Sequence, residues 1–300
     1  MWISKIKINN FRNYNLQEIN LNENINVFFG ENAQGKTNII ESIFLCSMGK
    51  SFRAKKDKEM INLNSESAMV EIDYKKSDRD GKIKIELNNK KNVYVNGIKI
   101  KKLSELLGKI NIVIFTPDDI NIFKGGPQNR RRFLDIMISQ LKPNYMYNLN
   151  LYLKTLEQRN NYLKQIKELK KDENMLDIWD EELANYAINI YKYRNEFINK
   201  IKNKIKIIHG EITNNKEEIE IEYLSDCQKK EKYLELLKTR RKLDIIKGFT
   251  TKGIHRDDFL IYINKKQLDI YGSQGQHRTA ILSLKLSELN IVYDEIGEFP

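Results

Sequence analysis

Residues 25–45, INVFFGENAQGKTNIIESIFL, join a short apolar run, a glycine loop and a helical pattern. The apolar residues of 25–29 predict a buried strand, and the spacing of the apolar residues in 39–44 predicts a helix. Between them, residues 30–37 spell G-x-x-x-x-G-K-T. This order of strand, loop and helix is typical of a phosphate-binding loop in an α/β fold, and an ordinary surface turn is the alternative interpretation.

Each residue type in the loop has a physical reason. Gly30 and Gly35 allow backbone conformations that a Cβ atom resists, so successive N–H groups can point at phosphate oxygens. Lys36 can reach the β- and γ-phosphates, and the Thr37 hydroxyl can complete the coordination of a Mg²⁺ ion. The predicted nucleotide site comprises Gly30, Glu31, Asn32, Ala33, Gln34, Gly35, Lys36, Thr37 and Asn38.

Composition sets broad limits on the class of protein. Three hundred residues with 40% hydrophobic content can bury a sizeable core. The net charge of +11 suggests a polyanionic partner, although lysine is abundant throughout the chain. Cys46 and Cys227 lie far apart without a C-x-x-C motif, which predicts reduced thiols. We expect a cytoplasmic protein, because the sequence shows neither a signal peptide nor an apolar run long enough for a membrane span.

The pattern along the chain predicts two kinds of structure. Alternating residues predict a strand at 2–9 and an antiparallel β subdomain at 68–101, and the apolar run INIVIF at 110–115 predicts a strand buried on both faces. Residues 128–210 are helical in pattern, with joints at Pro143 and 170–174. A strand, a helix and a second strand are expected at 219–223, 232–246 and 259–263.

Three basic segments allow two interpretations. The loop at 49–58, with Arg53, Lys55 and Lys56, either stays solvated or meets nucleic-acid phosphates. The lysine-rich helical segments 154–171 and 192–206 are either solvated helix faces or a nucleic-acid surface. His255 is expected to be a turn or hydrogen-bonding residue, and no His/Glu pair at metal spacing accompanies it.

A second glycine motif, YGSQGQHR, occupies residues 271–278 and precedes a helical pattern. Ser273 and Gly275 offer a hydroxyl and exposed N–H groups at a helix N-terminus, which is a second anion site of the same physical kind. One nucleotide needs only one phosphate loop in its own chain. The motif therefore predicts contact with the γ-phosphate of a nucleotide held by another subunit.

Together, these motifs make the chain resemble the RecF family of bacterial recombination and repair ATPases, which have ABC-type, SMC-like heads. The resemblance rests on NFRNY at 10–14, the phosphate loop, FTPDDINIFKGGPQNRRRFLD at 115–135, GIHRDD at 253–258 and YGSQGQHR. It implies an ABC-type P-loop head with an antiparallel β subdomain and an inserted helical lobe. The implied domains are an ATP-binding lobe at 1–127, a helical arm at 128–247 and a signature region at 248–300.

The resemblance also implies function. RecF-like proteins bind ATP and Mg²⁺ and form an ATP-dependent homodimer in which Ser273, Gly275 and Gln276 would contact the partner's γ-phosphate. Arg12 is implied as a further contact near the nucleotide. Such dimers bind single-stranded, gapped or duplex DNA and work with RecO and RecR in loading a recombinase, which links them to replication, recombination and the SOS response.

The acidic strand that completes an ABC-type ATPase is expected after Pro300, where this sequence ends, so a truncated RecF or partial reading frame is the working hypothesis. Asp294 and Glu295 fall in a helical pattern and do not replace it, which leaves hydrolysis open. Without that strand, about 7–15 kcal/mol of burial would be missing and the fold would be marginal. The alternatives are a catalytically silent ATP- and DNA-binding clamp and a P-loop kinase for small molecules.

Overall fold

A computed structural model describes all residues, 1–300, and divides them into two compact units. Unit 1 comprises 1–113 and 292–300, and unit 2 comprises 114–291. The boundaries between these units lie at 113/114 and 291/292, whereas the sequence predicted domain boundaries at 127/128 and 247/248. None of the helices combines the length and the apolar run that a bilayer span requires.

Unit 1 is built on a six-stranded antiparallel sheet with the order β2-β1-β3-β4-β5-β6. The strands are β1 (Trp2–Phe11), β2 (Tyr14–Asn20), β3 (Ala68–Lys75), β4 (Asp80–Leu87), β5 (Asn92–Val95) and β6 (Ile98–Lys99). The first helix of the chain, α1 (Lys36–Met48), packs in the same core. The predicted strand at 2–9, the β subdomain at 68–101 and the helix after the glycine loop are thus confirmed.

Alternation along the strands explains why this sheet has one buried face. Ile8 pairs with Val70, and Val70 pairs with Ile85, so apolar side chains form a row across three strands. All three are buried. Charged residues occupy the opposite face, where Lys82 pairs with Glu71 at 3.2 Å. An antiparallel sheet with one face on the core gives this alternation, which is why the sequence could reveal it.

Two predicted strands are wrong. Residues 25–29 lie outside both sheets, and the exposed fractions of Ile25, Val27 and Phe29 are 80%, 75% and 91%. Residues 110–115 also lie outside both sheets, with Phe115 58% exposed. The apolar composition of these segments shows that they suit burial, but a strand also needs hydrogen bonds from a neighbouring strand, and neither sheet places one beside them.

Unit 2 combines helices with a small sheet of order β7-β8-β9. Its helices are α2 (Asn121–Lys124), α3 (Pro127–Leu141), α4 (Pro143–Leu169), α5 (Leu176–Thr213), α6 (Lys230–Lys247), α7 (Leu268–Tyr271) and α8 (Gln274–Ile296), the last of which ends in unit 1. The strands are β7 (Ile219–Leu224), β8 (Asp258–Ile263) and β9 (Lys266–Gln267). The helical region, its joints at Pro143 and 170–174, and the later strands and helix are confirmed.

The long helix α5 supplies much of the core of unit 2. Leu183, Ala187, Ile190 and Ile201 are fully buried, and the intervals between them are three or four residues or sums of such steps. This spacing places them on one side of a 3.6-residue helix. Both cysteines are free, and both are buried, a location that the sequence had left open between core and surface.

Candidate functional site

The glycine loop of unit 1 has the backbone that its sequence predicted. Gly30, Ala33 and Gly35 all have positive φ values, of 143°, 66° and 100°. Helix α1 begins at Lys36 directly after Gly35, and no side chain caps its first turn. The first N–H groups of the helix are therefore free of an internal side-chain acceptor, as an anion site requires.

Lys36, at the end of the loop, contacts the backbone at the start of the loop. Its Nζ atom donates to the carbonyl oxygens of Gly30 and Glu31, at 2.7 and 2.5 Å. These carbonyls hold the cation beside the exposed loop, from which it can turn to phosphate oxygens. Thr37 follows and is exposed, so its hydroxyl can reach a metal ion bound at the phosphates.

The turn at 10–14 packs against this loop at Gly35, whose φ of 100° already favours glycine. A Cβ atom on Gly35 would lie 2.7 Å from Asn13 Oδ1 and 2.8 Å from the Tyr14 hydroxyl. Asn38 Nδ2 donates to the same Asn13 oxygen at 2.8 Å. The NFRNY turn thus shapes the loop and the start of α1, a role that the sequence alone did not show.

Arg12 has an internal partner that the sequence analysis missed. Its Nε and Nη2 atoms donate to both oxygens of Glu41 at 2.9 and 2.6 Å, and its Nη1 atom donates to the carbonyl of Glu59. The Glu41 side chain is fully buried and also accepts from Ser51. This bidentate pair ties the NFRNY turn to α1. A direct contact of Arg12 with nucleotide remains a prediction.

The signature segment lies in unit 2, at the start of α8. The Ser273 hydroxyl accepts the Gln276 N–H at 3.2 Å, and the Gln276 side-chain oxygen accepts the Ser273 N–H at 2.9 Å. This reciprocal pair is a capping box, with the spacing S-x-x-Q. Because the Ser273 oxygen already accepts a hydrogen bond, its own hydrogen can donate to an incoming anion.

Gly275 is exposed, and no packing inside unit 2 requires it to be glycine. A Cβ atom there would meet only the Ser273 hydroxyl, at an ordinary 3.7 Å. Glycine destabilises a helix relative to alanine, so its presence calls for another reason. Close approach of an outside group to the backbone is one.

Buried arginines connect two further sequence motifs of unit 2, at 115–135 and at 253–258. Arg130 pairs with both oxygens of Asp258, at 2.6 and 2.8 Å. Arg194, from α5, contacts Asp135 at 2.9 Å and Asp257 at 3.3 Å. The RRRFLD and HRDD segments therefore meet through structural ion pairs. Burial raises the pKa of Asp257 to about 6, although Arg194 acts in the opposite direction.

His255 lies in a turn, as expected. Its Nε2 atom faces the Thr250 carbonyl at 3.0 Å, and its Nδ1 atom faces the Tyr152 hydroxyl at 2.8 Å. Burial lowers the pKa of His255 to about 4, which keeps the ring neutral. No group of three or more His, Cys, Asp or Glu side chains could hold a metal ion.

Comparison with known proteins gives one consistent family. A family model described as AAA domain matches residues 5–247. This chain is similar to proteins named DNA replication and repair protein RecF. Its sequence is 43% identical to that of Alkaliphilus oremlandii, 44% identical to that of Clostridium perfringens strain SM101 and 45% identical to that of Clostridium tetani. Each match covers 100% of this chain and 84% of the relative.

Solved structures agree with these relatives. The structure of the recombination mediator protein RecF with ATP, described in the RecFOR pathway, has a TM-score of 0.96 and 41% identity and covers 100% of this chain and 83% of its own. The Smc head domain of Pyrococcus furiosus has a TM-score of 0.50 and 17% identity over 97% of this chain and 79% of its own. The second likeness concerns the fold alone, which is that of an SMC-like, ABC-type ATPase head.

Proposed function

The chain belongs to the RecF family of DNA replication and repair proteins, and we propose that it binds ATP through the loop Gly30–Thr37. The observation that carries this proposal is Lys36, held on the carbonyls of Gly30 and Glu31 beside an exposed loop. Residues 31–34 and Asn38 complete the proposed site, and Arg12 supports it through Glu41. Thr37 would bind the Mg²⁺ ion that accompanies the phosphates.

The bound nucleotide is proposed to drive head-to-head dimerisation. Ser273 and Gly275 would meet the γ-phosphate held by the partner, with the Ser273 hydroxyl donating and the Gly275 backbone approaching closely. The lack of any internal packing reason for Gly275 supports this role. Gln276 holds Ser273 in place through the capping box.

The proposed dimer binds DNA, whether single-stranded, gapped or duplex, in the cytoplasm. A net charge of +11 and the exposed Arg53, Lys55 and Lys56 favour phosphate contacts over base readout. As a RecF-family protein, the chain would act with RecO- and RecR-type partners in loading a recombinase. This activity would serve replication, recombination and the SOS response. The proposed domains are the ATP-binding lobe at 1–127, the helical arm at 128–247 and the signature region at 248–300.

A second candidate is a clamp that binds ATP and DNA without hydrolysis. Asp294 and Glu295 lie in α8 and do not follow a strand. A P-loop kinase for small molecules is the weaker alternative, because it gives no role to the signature segment.

Three measurements test these proposals. ATP binding is measured by titration, and the oligomeric state is measured by light scattering with and without ATP and Mg²⁺. A protein that binds ATP but stays monomeric at every concentration tested would contradict the dimer. ATP turnover with and without DNA separates the ATPase from the clamp.

The Ser273→Arg variant tests the signature role directly. Arginine would fill the space that the partner's γ-phosphate needs, so we expect normal ATP binding and no ATP-induced dimer. A dimer as tight as that of the unaltered protein would refute the contact across subunits.

A further inference from the structure

The side chain of Gln276 is held at both ends, and only one end belongs to the capping box. Its Oε1 atom accepts from the Ser273 N–H, while its Nε2 atom donates to Glu217 Oε1 at 2.9 Å. A carboxylate accepts hydrogen bonds and cannot donate them. Glu217 therefore fixes which end of the amide faces Ser273.

The second oxygen of Glu217 meets a buried histidine of α5. Glu217 Oε2 lies 3.3 Å from Nε2 of His209, whose side chain is fully buried. The other ring nitrogen of His209 lies 2.9 Å from the Ser283 hydroxyl, which itself donates to the Thr279 carbonyl at 2.8 Å. Ser283 must therefore accept from His209 Nδ1–H. Burial lowers the pKa of His209 and favours the neutral ring, in which Nε2 presents a lone pair to Glu217, so this contact becomes a hydrogen bond only when the ring is protonated.

This arrangement links α5 to the signature through one residue. Glu217 lies in the connection between the end of α5 at Thr213 and the start of β7 at Ile219. It touches His209 on one side and Gln276 on the other. We propose that Glu217 is a positioning residue that holds the Ser273–Gln276 capping box in the geometry needed to receive a partner's γ-phosphate. The inference rests on the proposed function of the signature segment.

The Glu217→Ala variant removes the acceptor and frees the Gln276 amide. ATP binding by the monomer should be unchanged, because the phosphate loop is untouched. The ATP-induced dimer should weaken about tenfold, the effect of losing one hydrogen bond to a charged group. The probe is ATPγS with Mg²⁺, and the dimer dissociation constant is measured by sedimentation.

Glu217→Gln provides a rescue that a purely space-filling role does not predict. Its carbonyl oxygen can accept from Gln276, and its NH₂ group can donate to His209 Nε2. We expect a dimer within about threefold of the unaltered protein, since no hydrogen bond is lost. Equal weakening in the alanine and glutamine variants would overturn the proposal.

A matched control and a double variant complete the design. Glu218→Ala removes the same charge from the neighbouring exposed position and should leave the dimer unchanged. In a Gln276→Ala background, Glu217→Ala should have no further effect, because its partner is already gone. If the two substitutions weakened the ATP-induced dimer additively, the proposal would be overturned, even if Glu217→Ala alone weakened that dimer.

The Ser273→Arg variant separates this inference from the proposed function. If Ser273→Arg abolishes the dimer and Glu217→Ala leaves it unchanged, the positioning role fails and the signature role stands. If Ser273→Arg dimerises normally, the signature role fails and the positioning role fails with it.

Discussion

Gly35 is confined by Asn13, since a Cβ atom on the glycine would lie 2.7 Å from Asn13 Oδ1. Real Cβ atoms do not approach oxygen atoms this closely. The same Asn13 oxygen accepts from Asn38, in the first turn of α1. The NFRNY turn and the phosphate loop therefore constrain each other, and the shape of the loop depends on both.

Gly35→Ala should destabilise the protein by about 2–3 kcal/mol and weaken ATP binding. An alanine would be strained at a φ of +100°, and its methyl group would press on Asn13. The matched control is Gly97→Ala, where φ is +81° and nothing lies within 4 Å of the added atom. That change should cost about 1–2 kcal/mol and leave ATP affinity unchanged. Equal losses of stability, measured by urea unfolding, would argue against the contact with Asn13.

Lys36→Ala should weaken ATP binding by about 10–100-fold, the loss expected for hydrogen bonds from a cation to phosphates. It should change the stability of the free protein little, because the Gly30 and Glu31 carbonyls that it contacts lie in an exposed loop. Titration calorimetry with ATP and Mg²⁺ measures the change. Lys50→Ala, an exposed change just beyond α1, is the control and should bind ATP normally. Normal binding by Lys36→Ala would contradict the site.

What the sequence could predict follows from the range of the interactions. The alternation of β3 and β4 is local, and so are the glycines and lysine of the loop, so both were visible. The segments 25–29 and 110–115 were misjudged because apolar composition is local but strand pairing is not.

The site followed the same rule. The motif predicted the loop residues, but their supports came from distant parts of the chain. Glu41 gave a weak signal, a charge among the apolar positions of α1. Asn13 and Arg194 gave none, because Gly35 lies 22 residues from Asn13, and Asp135 and Asp257 lie 59 and 63 residues from Arg194. Glu217 gave none either, because Gln276 lies 59 residues away.

Arg194→Ala should destabilise the protein by about 3–5 kcal/mol, the usual cost of removing one member of a buried charge network. The loss arises because Asp135 and Asp257 then keep their positions without the guanidinium that faces both. Lys192→Ala, exposed two residues earlier in α5, should change stability by less than about 0.5 kcal/mol. Chemical unfolding measures both, and similar values for the two would show that the network contributes nothing.

Acid should affect the protein through His255. Its pKa lies near 4 in the folded protein and at 6.5 ordinarily, so the stability it contributes is present above pH 6.5 and lost as pH falls towards 4. Asp257 acts oppositely, because its raised pKa makes the folded protein take up a proton first. Between pH 7 and pH 5, the unaltered protein should therefore lose about 2 kcal/mol more of its free energy of unfolding than the His255→Gln variant loses. Parallel stability curves over this range would contradict the assignment.

Gly275→Ala distinguishes a glycine kept for an outside partner from one kept for folding. The added methyl group has room within the protomer, where its nearest neighbour is Ser273 at 3.7 Å. The variant should therefore raise the free energy of unfolding of the monomer by about 0.5 kcal/mol. The same methyl group would stand where the partner's γ-phosphate approaches, so the ATP-induced dimer should weaken about tenfold. Thermal unfolding and sedimentation measure the two effects, and a variant that is more stable yet dimerises normally would show that the Gly275 backbone does not meet the nucleotide.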